Sequence, residues 1–428
     1  MFMDDDRRAL GLLYRRLAFG ATADELDAAM LRGYDASVEE LLRFGDRDAA
    51  EGAAALALTA DAALPIDPAG RKAAQQQRAA EEKSLLDWWL ARMVASTTPA
   101  REKLVWYWHG HFATAIAKVQ TPLLMYEQNQ LFRRMSEGTF RDLVQAVAKD
   151  PAMLIWLDSN NNVKAHPNEN FARELMELFT LGIGNYTEDD VKEAARCFTG
   201  WTYNRGTHSY ALRAAQHDTS TKTVLGHVGD LGGEDVIDLI TSSVSSQRFV
   251  IARLWSHLAY PIATTDPVVD SITAGGPVTI ADTLRSIARH PQFRSDATFT
   301  GLVKQPVEWL VGALRALSVA YNPKFAAVLT QLAQVPFNPP NVAGWPQNQY
   351  WISTATALAR LAGASQIAAA ADLHSVANVA VSQRPTACAR LLGIDAWTTS
   401  TQHALDAAAN DPRSLVALAL VSPEYVLN

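Results

Sequence analysis

Only two cysteines, Cys197 and Cys388, occur in 428 residues, so no disulfide framework is available, and Cys197, at the border of its helix's apolar side, is expected to be a small, largely buried thiol. No apolar stretch is long enough to cross a bilayer. The chain also lacks a run of Lys and Arg, and its formal net charge is −7. Both facts argue against a nucleic-acid surface, which needs local positive charge to neutralise phosphates. The opening MFMDDDRRALGLL places acids before Arg7 and Arg8 and has no continuous apolar core, so it does not read as a secretory signal. As written, the chain is expected in the cytoplasm, and in the periplasm or outside the cell if a signal has been removed. There is no G-x-S-x-G elbow, no phosphate-binding G-x-x-x-x-G-K-[ST] loop and no H-E-x-x-H zinc helix.

What the chain does have is helical periodicity and a 48% hydrophobic composition, enough for a large core. Helices are expected over 71–96, 100–116, 169–181, 188–198, 245–259 and 306–319, among others. The expected fold is mainly α, a large multi-helix bundle with a single core over 1–428. A loose loop is expected at 45–70 and a hairpin or loop insertion at 203–232, where YALRAAQHD would pair with TKTVLG across a turn at Thr219 and Ser220.

The densest chemistry lies between Asn168 and Trp201, which holds seven acidic residues and two arginines. Asn168 is a natural N-cap, and Thr187 with Asp190 forms a capping-box pattern. At about 100° per residue, Glu169, Arg173 and Glu177 fall within roughly 80° of one another, with Glu174 about 60° further round. These carboxylates could hold a cation or a proton, or form an ion-pair ladder with Arg173. If the acids are buried, losing Arg173 should cost about 3 to 5 kcal/mol.

His109 and His111, two apart on a helix, point roughly 200° away from each other and reach one ion only if the helix ends or kinks at Gly110. Otherwise they are buried, hydrogen-bonded histidines beside an aromatic wall. His217, Asp218 and Lys222 sit near a turn, where they could supply acid–base groups or simply stabilise it. Lys304 and Glu308 form an i,i+4 pair. Pro339–Pro340, Gly344 and Trp345 form a stiff turn that either plugs the bundle or walls a pocket.

The segment N-E-N-F-A-R-E-L-M-E-L-F-T-L-G from Asn168, then Y-T at Tyr186, D-V at Asp190 and A-R-C-F-T-G-W from Ala195, resembles the signature of a bacterial family known as domain of unknown function 1800. Further matches are RRLAFG at Arg15, WHGHF at Trp108, HDTSTKTVLG at His217, KQPVE at Lys304, PPNVAGW at Pro339 and SPEY at Ser422. The family's histidine motif usually reads W-H-N-H-F, with Asn where this chain has Gly110, and its H-D-x-G-x-K-T has Gly where this chain has Ser220. The resemblance implies a companion, an exported phosphatase-like protein of domain of unknown function 1501.

The leading expectation is a metal-dependent hydrolase or transferase. Its cleft would use Glu174, His217, Asp218 and Arg173 as catalytic groups, with His109, His111, Glu169 and Glu177 around a divalent metal and its bound water. The alternative is a non-catalytic binding or scaffold protein whose polar cluster is a structural network.

Overall fold

Local chemistry fixes where the helices begin. The Asp67 carboxylate accepts the Gly70 N–H at 2.7 Å and starts the helix Pro68–Ala95. Thr187 and Asp190 close a reciprocal capping box on Glu188–Cys197. Glu308 reaches back to the Gln305 N–H, and Pro306 occupies the first turn of Pro306–Ala316.

The computed structural model describes residues 2–45, 48, 56–60 and 65–427. Within the expected loop at 45–70, residues 46, 47, 49–55 and 61–64 lie outside the described residues, and its last three residues already belong to the helix Pro68–Ala95. The fold is mainly α, with two small antiparallel hairpins among the described residues. Buried apolar side chains from Leu10 to Tyr425 form one cluster, centred on Trp89, Trp106, Trp108, Trp255 and Trp309. Burying an apolar side chain of this kind is worth about 1.5–3 kcal/mol. No helix among the described residues is long and apolar enough to cross a membrane.

The β structure differs from the expected pairing. Strand β1 (Trp201–Asn204) pairs with β2 (Ser209–Leu212), and β3 (Lys222–Val224) pairs with β4 (His227–Gly229). Each strand thus finds its nearest neighbour in sequence. The segment expected to turn at Thr219 and Ser220 is instead held by Asp218, which accepts the Ser220 N–H at 2.9 Å.

The acidic helix is also not uniform. Asn170–Glu174 is α-helical, but Leu175–Thr180 is wound as a π-helix, and Leu181 and Gly182 both donate to Met176 O at 3.0 Å. The wider turn rotates everything after Glu174 away from the face a regular helix would present.

Two groups of charges are sealed in the core. Glu102 accepts from Arg92 Nε at 2.7 Å, from Arg133 Nε at 2.6 Å and Nη2 at 2.8 Å, and from Trp89 Nε1 at 3.2 Å. The two guanidiniums outweigh desolvation and hold its carboxyl below the usual range. Lys103 pairs with Glu308 at 2.6 Å, with His257 Nε2 3.7 Å from the same carboxylate. Glu308 therefore pairs across the fold with Lys103, and not with Lys304. The Lys304 ammonium donates to Tyr425 O at 2.7 Å and lies 3.6 Å from the centre of that ring.

Candidate functional site

The acidic residues expected to form a metal-binding cleft are engaged elsewhere. Arg173 Nη2 bridges Glu169 and Glu188, each at 2.8 Å, and these side chains are between a third and two-thirds exposed. Glu177 accepts the Tyr186 hydroxyl at 3.1 Å. Glu174 is half-buried, and burial followed by repulsion from Glu177 raises its pKa. His217 Nδ1 donates to Thr199 O at 2.8 Å, and Asp218 pairs with Arg196 at 2.8 Å, which draws its carboxyl well down despite desolvation.

His109 and His111 are buried in the core. His109 Nε2 accepts the Phe337 N–H at 2.9 Å, and His111 Nε2 donates to Phe179 O at 2.9 Å. Among the described residues no three His, Cys, Asp or Glu side chains stand together as a metal-binding group. The structure therefore does not gather His109, His111, Glu169 and Glu177 around one ion. Arg173 and Glu174 stay with the acidic helix, while His217 and Asp218 belong to the loop that Thr199 and Arg196 hold. The donor set does not fit a divalent cation.

A different site forms where the helix Pro99–His111 ends. Its last turn, the helix Val244–Leu258 and the Ala343–Gln347 segment enclose a cavity of about 160 Å³. The walls are Trp106 and Trp345, stacked at 5.0 Å, with Tyr107 lying 5.7 Å from His111 and 5.0 Å from His257. Gln305, Gln347 and Arg253 complete the lining, which contains no acid.

Three polar atoms of this wall are buried without a hydrogen-bond partner: Tyr107 Oη, His111 Nδ1 and His257 Nε2. Such groups are uncommon, because each unmet donor or acceptor costs about 1–3 kcal/mol. The Phe179 contact requires the proton on His111 Nε2, so Nδ1 presents a bare lone pair. Burial lowers the pKa of His111 to about 3 and of His257 to about 4. Both imidazoles are neutral at pH 7. Arg253 is exposed, has no carboxylate partner among the described residues, and places the positive charge beside Tyr107 and both histidines.

Gly110 and Gly344 shape this cavity in opposite ways. Gly344 has φ +80°, and a Cβ there would lie 2.3 Å from Gly110 O, so the turn can close over the helix only without a side chain. A Cβ on Gly110 would meet nothing within 4 Å. Gly110 lines the cavity, so the missing side chain leaves open space in it.

The family model described as Protein of unknown function (DUF1800) matches residues 12–427. The chain belongs to this family. No curated protein and no solved structure matches it. The motifs by which the chain resembles the DUF1800 family converge in space. Arg16 of RRLAFG is buried and donates to Thr298 O, and Phe19 lies beneath the Lys103 ammonium at 5.3 Å. KQPVE supplies Glu308 to Lys103 and Lys304 to the Tyr425 of SPEY. PPNVAGW packs its glycine onto Gly110 and its tryptophan onto His109 of WHGHF. Ser220, where the family's motif has glycine, accepts from Arg196 Nη2 at 2.6 Å and so adds to the Arg196–Asp218 contact.

Tyr107, Arg253, His257 and Gln305 were not singled out as site residues in the sequence. The available signals were Arg253 and His257 at i,i+4 on one helix and Gln305 inside KQPVE.

Proposed function

We propose that the protein binds a small anion that also carries a hydrogen-bond donor, such as a hydroxy acid or a monoprotonated phosphate, in the cavity between Tyr107, His111, Arg253 and His257. The observation that supports this most is a wall with one unpaired cation, two buried polar atoms without partners, Tyr107 Oη and His111 Nδ1, and no acid in its lining, in a chain of net charge −7. Arg253 suits a carboxylate or phosphate oxygen, and the bare His111 Nδ1 suits a hydroxyl proton. The volume is close to that of a cavity that admits benzene, which limits the ligand to a small molecule.

In this reading the acidic segment is a structural ion-pair network, in line with a binding protein. A metal-dependent hydrolase centred on Glu174 finds less support, because its ligands would have to leave their present partners. A phosphatase-like companion would release an anion of the proposed kind, so the partner suggested by the resemblance is retained for co-purification.

The variant Gly110→Asn tests the site with little effect on the fold, since its side chain enters open space. The wild-type melting temperature should rise with inorganic phosphate or a small hydroxy acid, because a ligand of the folded state stabilises it by mass action. Gly110→Asn should melt close to wild type and lose that response. A full response in Gly110→Asn would place the ligand elsewhere.

A further inference from the structure

A second, larger concavity lies along hairpin β1–β2 and beside the helix Pro68–Ala95, and shares no lining residue with the small cavity. Its volume is about 950 Å³. Four cations, Arg78, Lys118, Arg205 and Arg213, line it, and no lining residue is acidic. Lys118 is held by Asp158 at 2.8 Å, and Arg78 donates to Gln120 at 3.1 Å. Arg213 is exposed and makes no ion pair among the described residues. Asp158 offsets Lys118, and the excess of positive charge that remains in the lining, in a chain of net charge −7, creates a local positive field that attracts an anionic ligand.

The rest of the lining is rich in amides and hydroxyls: Gln120, Thr121, Asn160, Asn161, Thr202 and Asn204. Asn160 Oδ1 already accepts from the Thr202 hydroxyl at 2.8 Å and the Tyr203 N–H at 2.7 Å, which fixes the orientation of the amide and leaves its nitrogen as a donor. The lining aromatic, Tyr203, is buried, and its hydroxyl lies 3.2 Å from His208 Nδ1, so it offers no exposed ring. Bases of single-stranded nucleic acid bind by stacking on exposed rings, whereas sugar hydroxyls are met by amides and hydroxyls.

We propose that this groove binds an acidic oligosaccharide, a polyol chain bearing carboxylate or sulfate groups. Arg213 meets its charges within the field of the neighbouring cations, and the amide row meets its hydroxyls. The size is appropriate for several sugar units, since ligand clefts span roughly 300–1,000 Å³.

The test is calorimetric titration of the full chain with an oligogalacturonate, a heparin-derived oligosaccharide of the same length, a neutral malto-oligosaccharide and an oligothymidylate. Arg205→Glu with Arg213→Glu alters two exposed positions of the groove, and Lys324→Glu supplies a charge reversal at an exposed position outside it. At least one acidic sugar should bind, more weakly as salt rises, and more tightly than the neutral sugar. The double variant should lose about tenfold or more in affinity, and Lys324→Glu should match wild type. The proposal is overturned if neither acidic sugar binds, if the neutral sugar binds as well, if the oligothymidylate binds best, or if Lys324→Glu loses as much as the groove variant.

Discussion

Replacing Glu102 with alanine is expected to destabilise the fold by about 3 to 5 kcal/mol, because the change leaves Arg133 without a carboxylate in the core and Arg92 with Asp48 alone. Arg92 and Arg133 are 4% and 5% exposed, and Glu102 is fully buried. Without its carboxylate neither arginine can turn to water, and the Trp89 N–H loses its acceptor as well. Arg173→Ala is the matched contrast. Its partners Glu169 and Glu188 are solvated, so the loss should stay below about 1 kcal/mol. This corrects the larger cost that burial of the acidic cluster would have given. Urea midpoints of the two variants at neutral pH measure the difference, and equal shifts would mean that burial does not separate the two networks.

Acidification should remove stability through the buried histidines. Burial lowers the pKa of His109 and His111 to about 3 and of His257 to about 4, from 6.5 in the unfolded chain. The unfolded chain therefore binds protons first. The stabilisation is complete above about pH 6.5 and declines as pH falls through the window toward the folded values. At about pH 5 each histidine should account for about 2 kcal/mol lost.

Asp150 acts in the opposite sense, since burial raises its carboxyl to about 7. Its protonation in the folded state between about pH 7 and 5 offsets roughly one of the three histidines. Wild type should thus lose stability on going from pH 7 to about 5, and Asp150→Asn should lose more over the same interval. Imidazole resonances show the cause directly: those of His109 and His111 should not titrate above about pH 5. A midpoint near 6.5 for either ring would contradict this account.

Much of the fold was legible in the sequence because capping is local. Thr187 with Asp190 marked a helix start that the structure reproduces, and Pro306 stands in the first turn of its helix. The π-wound stretch Leu175–Thr180 was not legible, since six residues carry no period that separates it from an α-helix. Of the clustered carboxylates only Glu177 falls within it, and that one takes the Tyr186 hydroxyl. The strand pairing failed for a related reason, because strands of three and four residues leave several registers open.

The site was harder still to read. His111 was visible as a candidate, but its cavity needs Arg253, His257 and the Ala343–Gln347 turn, which lie far away in the chain. The glycine of WHGHF gained a meaning only when the structure showed open space beside it. Arg78, Lys118, Arg205 and Arg213 are likewise scattered, so the absence of a Lys/Arg run in sequence concealed a basic groove in space.

The central claim is that ligand binding belongs to the cavity at Arg253 and not to the acidic helix at Arg173. One calorimetric experiment compares wild type, Arg253→Ala and Arg173→Ala in titrations with inorganic phosphate and a small hydroxy acid. Both positions reach solvent, so both variants should stay folded. The account predicts binding by wild type and Arg173→Ala alike, and a loss of about tenfold or more in Arg253→Ala, equivalent to roughly 1.4 kcal/mol. Binding that survives in Arg253→Ala but disappears in Arg173→Ala would contradict it and return the site to the acidic segment.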